Sequence, residues 1–307
     1  MSRLFRFVII CSLTLRAALA TEPATPYGSN PAAGHFASVT GIRLYYEVYG
    51  EGAPLVVLHG NGGSINALRY QIEFFRAHRL VIAIDSRGHG QSEMGPGRLT
   101  YEQMADDVAS LLEQLHAGRA DILGWSDGGI VALLVALRHP DAVHALAISG
   151  ANLSPDALKP GDVAGMTVEL REAEQKLAAG DRSRPWSVVC QYLQLMITQP
   201  HITTAELATI TSPTLVMAGE HDLIPEGHTR AIAAALRHSA LRIFAGASHA
   251  ALQEVPALFN AAVDDFLAQG AAAASKAPTG VASHADARPG VPASSPLPRA
   301  LEARSIH

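Results

Sequence analysis

The sequence predicts an α/β fold, a mostly parallel sheet with helices on both faces and a small helical cap, and three observations point to it. From about residue 35 to residue 269, short apolar strand patterns alternate with amphipathic helix patterns. Such alternation builds a parallel sheet whose crossovers are helices. A serine flanked by glycines, Gly124-Trp125-Ser126-Asp127-Gly128, sits between the apolar run Ile122-Leu123 and the helix pattern Ile130 to Val135. Between Ala151 and Ile210 the alternation stops, and helix-like patterns around residues 163–179 and 186–197 take its place. An insertion there would lie over the carboxyl ends of the strands, and residues 151–210 are read as the cap.

Strand patterns fall at Ile42 to Val48, Leu55 to Leu58, Leu80 to Ile84, Ile122-Leu123, Ala145 to Ser149, Thr214 to Ala218 and Leu241 to Phe244. Tyr101 to Leu115 carries Met104, Val108, Leu111, Leu112 and Leu115 at helical spacing behind Thr100, which suits an N-cap. A second helix runs from Gly128 to Arg138 and stops before Pro140, and the last is Pro256 to Leu267.

The ends read differently. Arg3 and Arg6, the apolar stretch Phe7 to Leu15 and the small residues Ala18-Leu19-Ala20 form an export-signal pattern over residues 1–20, too short to span a bilayer. The expectation is an exported protein, periplasmic or secreted, with no stable membrane insertion once the signal is removed. Residues 21–34 are rich in Pro, Gly, Ala and Ser and read as a flexible lead-in. Residues 270–307 nearly lack large apolar side chains, so they read as a disordered Ala/Pro/Ser-rich tail.

A formal net charge of -5 offers no basic field for nucleic acid or an anionic membrane surface. A hydrophobic fraction of 48% is ample for one large core. The two cysteines are Cys11, inside the signal, and Cys190, which is then left without an internal disulfide partner. No zinc or EF-hand spacing occurs, so neither metal nor organic cofactor is expected. Oligomeric state is not legible.

A serine in a tight strand-to-helix turn is lifted from the sheet edge beside free backbone N–H groups, the arrangement nucleophilic catalysis needs. A hydroxyl is a weak nucleophile at neutral pH, so Ser126 needs a base, and the base needs an orienting acid. His249 follows the Leu241 to Phe244 run and is the favoured base. Asp222 follows the Thr214 to Ala218 run and is the favoured acid, with Glu220 as its rival. The backbone N–H of Asp127 and that of Asn61, in His59-Gly60-Asn61-Gly62-Gly63, are the candidate oxyanion donors. The glycines of that loop lack the Gly-Lys-Ser/Thr ending of a phosphate loop. In the cap, Met166, Trp186, Tyr192, Leu195 and Met196 are candidates for substrate contact, with packing within the cap as the alternative role for each.

Together with Asp85-Ser86-Arg87-Gly88-His89-Gly90-Gln91-Ser92, these motifs resemble the α/β-hydrolase superfamily. The Gly124-Trp125-Ser126-Asp127-Gly128-Gly129 elbow, with Gly150-Ala151-Asn152 after the next strand, is similar to the serine-esterase branch that contains valacyclovir hydrolase. The resemblance implies a triad of Ser126, Asp222 and His249. It implies hydrolysis of a carboxylic ester or related small acyl substrate through an acyl-enzyme, with Asp127 meeting a substrate ammonium; Trp125, in the same elbow, is a further candidate for substrate contact. An acid in the first helical turn also simply suits the helix dipole. The same triad serves amidases, aminopeptidases, carbon–carbon bond hydrolases and acyltransferases, and a binding protein can retain the fold.

Overall fold

The computed structural model describes residues 25–275. Its sheet has eight strands: β1 (Gly34–Val39), β2 (Ile42–Tyr49), β3 (Pro54–Leu58), β4 (Leu80–Ile84), β5 (Ala120–Trp125), β6 (Val143–Ser149), β7 (Thr214–His221) and β8 (Ser239–Ser248). They lie in the order β1-β2-β4-β3-β5-β6-β7-β8. β1 and β2 pair antiparallel, as do β2 and β4, and every pairing from β4 to β8 is parallel.

Helices cover both faces, which is why the central strands read as unbroken apolar runs. On β3, Val56 and Leu58 pack toward α2 (Tyr101–Gln114) and α3 (Asp127–Arg138). Leu55 and Val57 pack on the other face, toward α1 (Arg69–Phe75) and α9 (Pro256–Ser275). Thr100 caps α2, its side chain accepting from the Gln103 N–H. Helices α4 (Pro160–Ala178), α5 (Trp186–Thr198) and α6 (Thr204–Leu207) interrupt the alternation between β6 and β7. Helix α7 (Glu226–Ala235) connects β7 to β8, and the short α8 (Ala251–Glu254) precedes α9. Gln191 of α5 and Gln199 just past its end tie it to the scaffold, Gln191 Oε1 accepting from Leu99 N–H at 3.1 Å and Gln199 Oε1 from Tyr101 N–H at 3.2 Å.

Three sequence expectations change. Residues 25–34 are not a flexible lead-in. Glu47, fully buried on β2, accepts from the N–H groups of Gly28 and Asn30 and from the hydroxyls of Tyr45 and Tyr49, all at 2.8–2.9 Å. Tyr27 is buried edge-on against Tyr49. Burial of one aromatic ring and two charge-assisted hydrogen bonds offset the ordering entropy of this segment. At the other end, α9 runs six residues into the stretch read as a tail, to Ser275. Finally, β1 has no counterpart in the strand patterns and β8 is longer than its four-residue run, because edge strands show only a partly buried face. The export signal at residues 1–20, residues 21–24 and residues 276–307 lie outside the described residues.

Candidate active site

Parallel strands deliver their following loops to one edge, and the candidate residues all come from that edge. Ser126 follows β5, Asn61 follows β3, Asp222 follows β7 and His249 follows β8. Ser126 holds φ 55 and ψ -120, a conformation that costs a non-glycine residue about 1–3 kcal/mol. The turn is possible because its glycines have no Cβ. One on Gly124 would lie 2.2 Å from the Gly128 carbonyl oxygen, and one on Gly128 would lie 2.2 Å from the Leu58 carbonyl oxygen. Packing around the elbow therefore enforces the strained serine.

His249 bridges the other two side chains. Its Nδ1 is 2.6 Å from Asp222 Oδ1, and its Nε2 is 3.0 Å from Ser126 Oγ. An ionised carboxylate only accepts, so Nδ1 carries the proton and the Nε2 lone pair faces the serine. Asp222 Oδ1 also accepts from Ile224 N–H at 3.0 Å, which fixes the carboxylate. Glu220, the rival acid, is exposed and accepts from Gly246 N–H in the β7–β8 region. Gly150 closes the arrangement from β6: at φ 65, a Cβ there would sit 2.7 Å from His249 Cε1.

Asp127 is buried at the start of α3. Its Oδ2 accepts from Asn61 Nδ2 at 2.8 Å, and the Tyr101 hydroxyl also bonds this carboxylate. Burial pushes its pKa up to about 6, against the pull of those two hydrogen bonds and of His249. The Tyr101 hydroxyl is pushed well above its usual range by burial and by the adjacent carboxylate. Asn61 N–H makes no hydrogen bond among the described residues. As the first residue of its helix, Asp127 has an amide without an intrahelical acceptor.

A cavity of about 420 Å³ opens at Ser126 and His249, with Tyr101, Asp127, Asn152 and Leu223 in its wall. The cap contributes Met166 and the carboxylates of Asp162 and Glu169 from α4, and Met196 from α5. Trp125 does not line it. Its indole N–H donates to the His249 carbonyl at 2.8 Å, so it braces the histidine loop instead of facing a substrate. Of the other cap candidates, Leu195 is buried in the core, Trp186 lines a separate 210 Å³ recess, and Tyr192 packs on His89. Tyr101 and Gly150 went unassigned in the sequence reading. Only the Gly150-Ala151-Asn152 motif hinted at the second, and nothing local signalled the first. Among the described residues, no cluster of three or more His, Cys, Asp or Glu is arranged to hold a metal ion. No helix among them is long and apolar enough to cross a membrane.

Residues 53–186 match the family described as the alpha/beta hydrolase fold, and the sheet order and crossovers agree with it. The chain has the α/β-hydrolase fold and is similar to the α/β-hydrolase superfamily. The chain is 28% identical over 264 residues to Serine hydrolase BPHL of Mus musculus, covering 80% of this chain and 90% of that protein. Its fold matches a thermophilic esterase from Thermogutta terrifontis with a TM-score of 0.67 and 25% identity, over 77% of this chain and 98% of that one. A hydrolase from Pseudomonas aeruginosa gives a TM-score of 0.67 and 26% identity, over 78% of this chain and 99% of that one.

Proposed function

We propose that this protein is a serine hydrolase that cleaves a carboxylic ester or a related small acyl compound through an acyl-enzyme. The observation that carries the reading is the imidazole of His249, held by Asp222 on one nitrogen and facing Ser126 Oγ with the other. In the first half-reaction Ser126 Oγ attacks the acyl carbon while its proton passes to His249 Nε2. Asp222 stabilises the imidazolium. The carbonyl oxygen becomes an oxyanion at the amides of Asn61 and Asp127, where each donor contributes about 3–4 kcal/mol to the transition state. Collapse of the tetrahedral intermediate breaks the bond to the leaving alcohol, which takes the proton from His249. A water then gives its proton to His249 and attacks the acyl carbon, releasing the acid and restoring Ser126.

Asp127 is proposed to attract a substrate ammonium, supported by a buried carboxylate in the cavity wall and by the further carboxylates of Asp162 and Glu169 around the same space. Export to the periplasm or the medium belongs to the same proposal and rests on residues 1–20 alone.

The test treats the protein and its Ser126→Ala variant with a fluorophosphonate probe and locates the adduct by mass spectrometry. Labelling on Ser126, absent in the variant along with ester turnover, is the expected result. A folded protein that takes no label, or a Ser126→Ala variant that still turns over ester, overturns the reading.

A further inference from the structure

We infer that Tyr192, on the cap helix α5, is a positioning residue for the Asn61 amide, so that the cap and the oxyanion loop move as one unit. The inference rests on the serine-hydrolase reading for the role of that amide. Its starting point is an aromatic contact across the two parts of the molecule. The Tyr192 ring stacks on His89 with centroids 4.2 Å apart and planes at 13°, and its hydroxyl donates to the Gly88 carbonyl at 2.5 Å. Helix α5 is thereby fastened face-on to the loop after β4.

From His89 the contact passes to the loop after β3. The rings of His89 and His59 lie 5.2 Å apart, both buried. His89 Nδ1 is 2.9 Å from the Arg87 carbonyl, so it carries the proton there, and its Nε2 has no hydrogen-bond partner among the described residues. Packing against His59 and Tyr192 is what holds that end of the ring. His59 Nε2 accepts from Ser86 N–H at 3.1 Å, which leaves the proton on Nδ1, and Nδ1 donates to the Gly60 carbonyl at 2.7 Å. Burial pushes His59 down to about 3 and His89 to about 4, so both imidazoles stay neutral and these donor roles persist at neutral pH.

The last step is covalent geometry. The carbonyl of Gly60 and the N–H of Asn61 belong to one planar trans peptide and point in opposite directions. Fixing the carbonyl therefore fixes the amide. The peptide is pressed against the elbow as well, since a Cβ on Gly60 would come 3.0 Å from Ser126 Cβ. A tilt of this plane turns the amide away from the position an oxyanion would take, and small misplacements of such donors are costly to rate.

The experiment uses p-nitrophenyl acetate, whose acetyl group is small against the 420 Å³ cavity and whose activated leaving group keeps the demand on substrate binding low. Tyr192→Leu, which removes stack and hydroxyl, is expected to lower kcat about tenfold or more with KM within about twofold. Tyr192→Phe, which keeps the stack, is expected to retain most of kcat. Backbone hydrogen exchange supplies a readout independent of turnover. The peptide spanning residues 59–64 is expected to exchange faster in Tyr192→Leu, while β5 keeps its protection and so reports an intact fold. Unchanged exchange at 59–64 with β5 protected, or an unchanged kcat for the acetate, overturns the inference. A wild-type protein that neither hydrolyses the acetate nor labels at Ser126 would sink the hydrolase reading instead, and the exchange comparison would still decide the coupling.

Discussion

Asp127→Asn is expected to stabilise the protein at pH 8 and to leave it nearly unchanged at pH 4. Burial raises the Asp127 carboxyl from an ordinary 3.8 to about 6 in the folded chain. Below pH 4 both folded and unfolded states hold the proton, and the group contributes nothing to the difference. As pH climbs from 4 to 6 the unfolded state ionises first, so stability falls, and above 6 the penalty is fully present. A displacement of about two pKa units corresponds to roughly 3 kcal/mol. Asparagine removes that charge but turns one N–H toward a donor, Asn61 Nδ2 or the Tyr101 hydroxyl, and returns about 1–2 kcal/mol. The net gain at pH 8 is about 1–2 kcal/mol, a Tm rise of a few degrees in a domain of this size. Thermal unfolding of both proteins at pH 4, 6 and 8 measures it. A Tm difference independent of pH, or a wild type more stable at pH 8, would refute the electrostatic argument.

Three further outcomes follow from the same geometry. For an ester carrying an ammonium on its acyl group, KM should rise as pH falls through about 6, where Asp127 takes up its proton, while KM for a neutral isostere stays level. Steady-state kinetics on the matched pair reads the difference. Gly150→Ala forces a left-handed residue at a cost of about 1–2 kcal/mol and drives a methyl into the His249 ring, so kcat/KM and the rate of fluorophosphonate labelling should both fall by about 10²-fold or more. Glu47→Ala leaves four donors around a buried site without their acceptor and should cost about 3–5 kcal/mol in urea unfolding, with faster hydrogen exchange across residues 25–34.

The central strands were readable because helices bury both of their faces, leaving runs such as Leu55 to Leu58 with no polar interruption. β1 was not, and only Leu241 to Phe244 of β8 was, since an edge strand keeps exposed residues such as Phe36 and Arg242 and loses its periodic signal. The loops that meet at Ser126 were legible for a related reason. In a parallel sheet the end of each strand pattern also says where its next residues go, and this brought Ser126, Asp222 and His249 to one edge on paper. Contacts that depend on how elements cross in space were hidden. Tyr101 reads as the first residue of an amphipathic helix, and only the packing of α2 beside α3 carries its hydroxyl to Asp127. Trp125 ends its strand beside both the cavity and the histidine loop, and the indole N–H donates to the loop's His249 carbonyl. The composition of residues 25–34 masked Tyr27, whose partners lie on β2 and α1.

The crossover between β6 and β7 has a consequence for how such a protein can change. The strands it joins are neighbours, paired from Leu146 with Thr214 to Ser149 with Met217, and they keep that register whatever runs between them. Because the entropy of closing a loop grows only with the logarithm of its length, doubling this excursion costs the sheet about 0.6 kcal/mol. Lengthening, shortening or replacing α4, which carries Asp162, Met166 and Glu169 in the cavity wall, therefore reshapes that wall at little cost to the framework beneath. Helix α5 is pinned at Gln191, Tyr192 and the following Gln199, and α6 through buried Leu207, so α5 marks the boundary between the portion of the excursion that can drift and the portion that must be inherited with the scaffold.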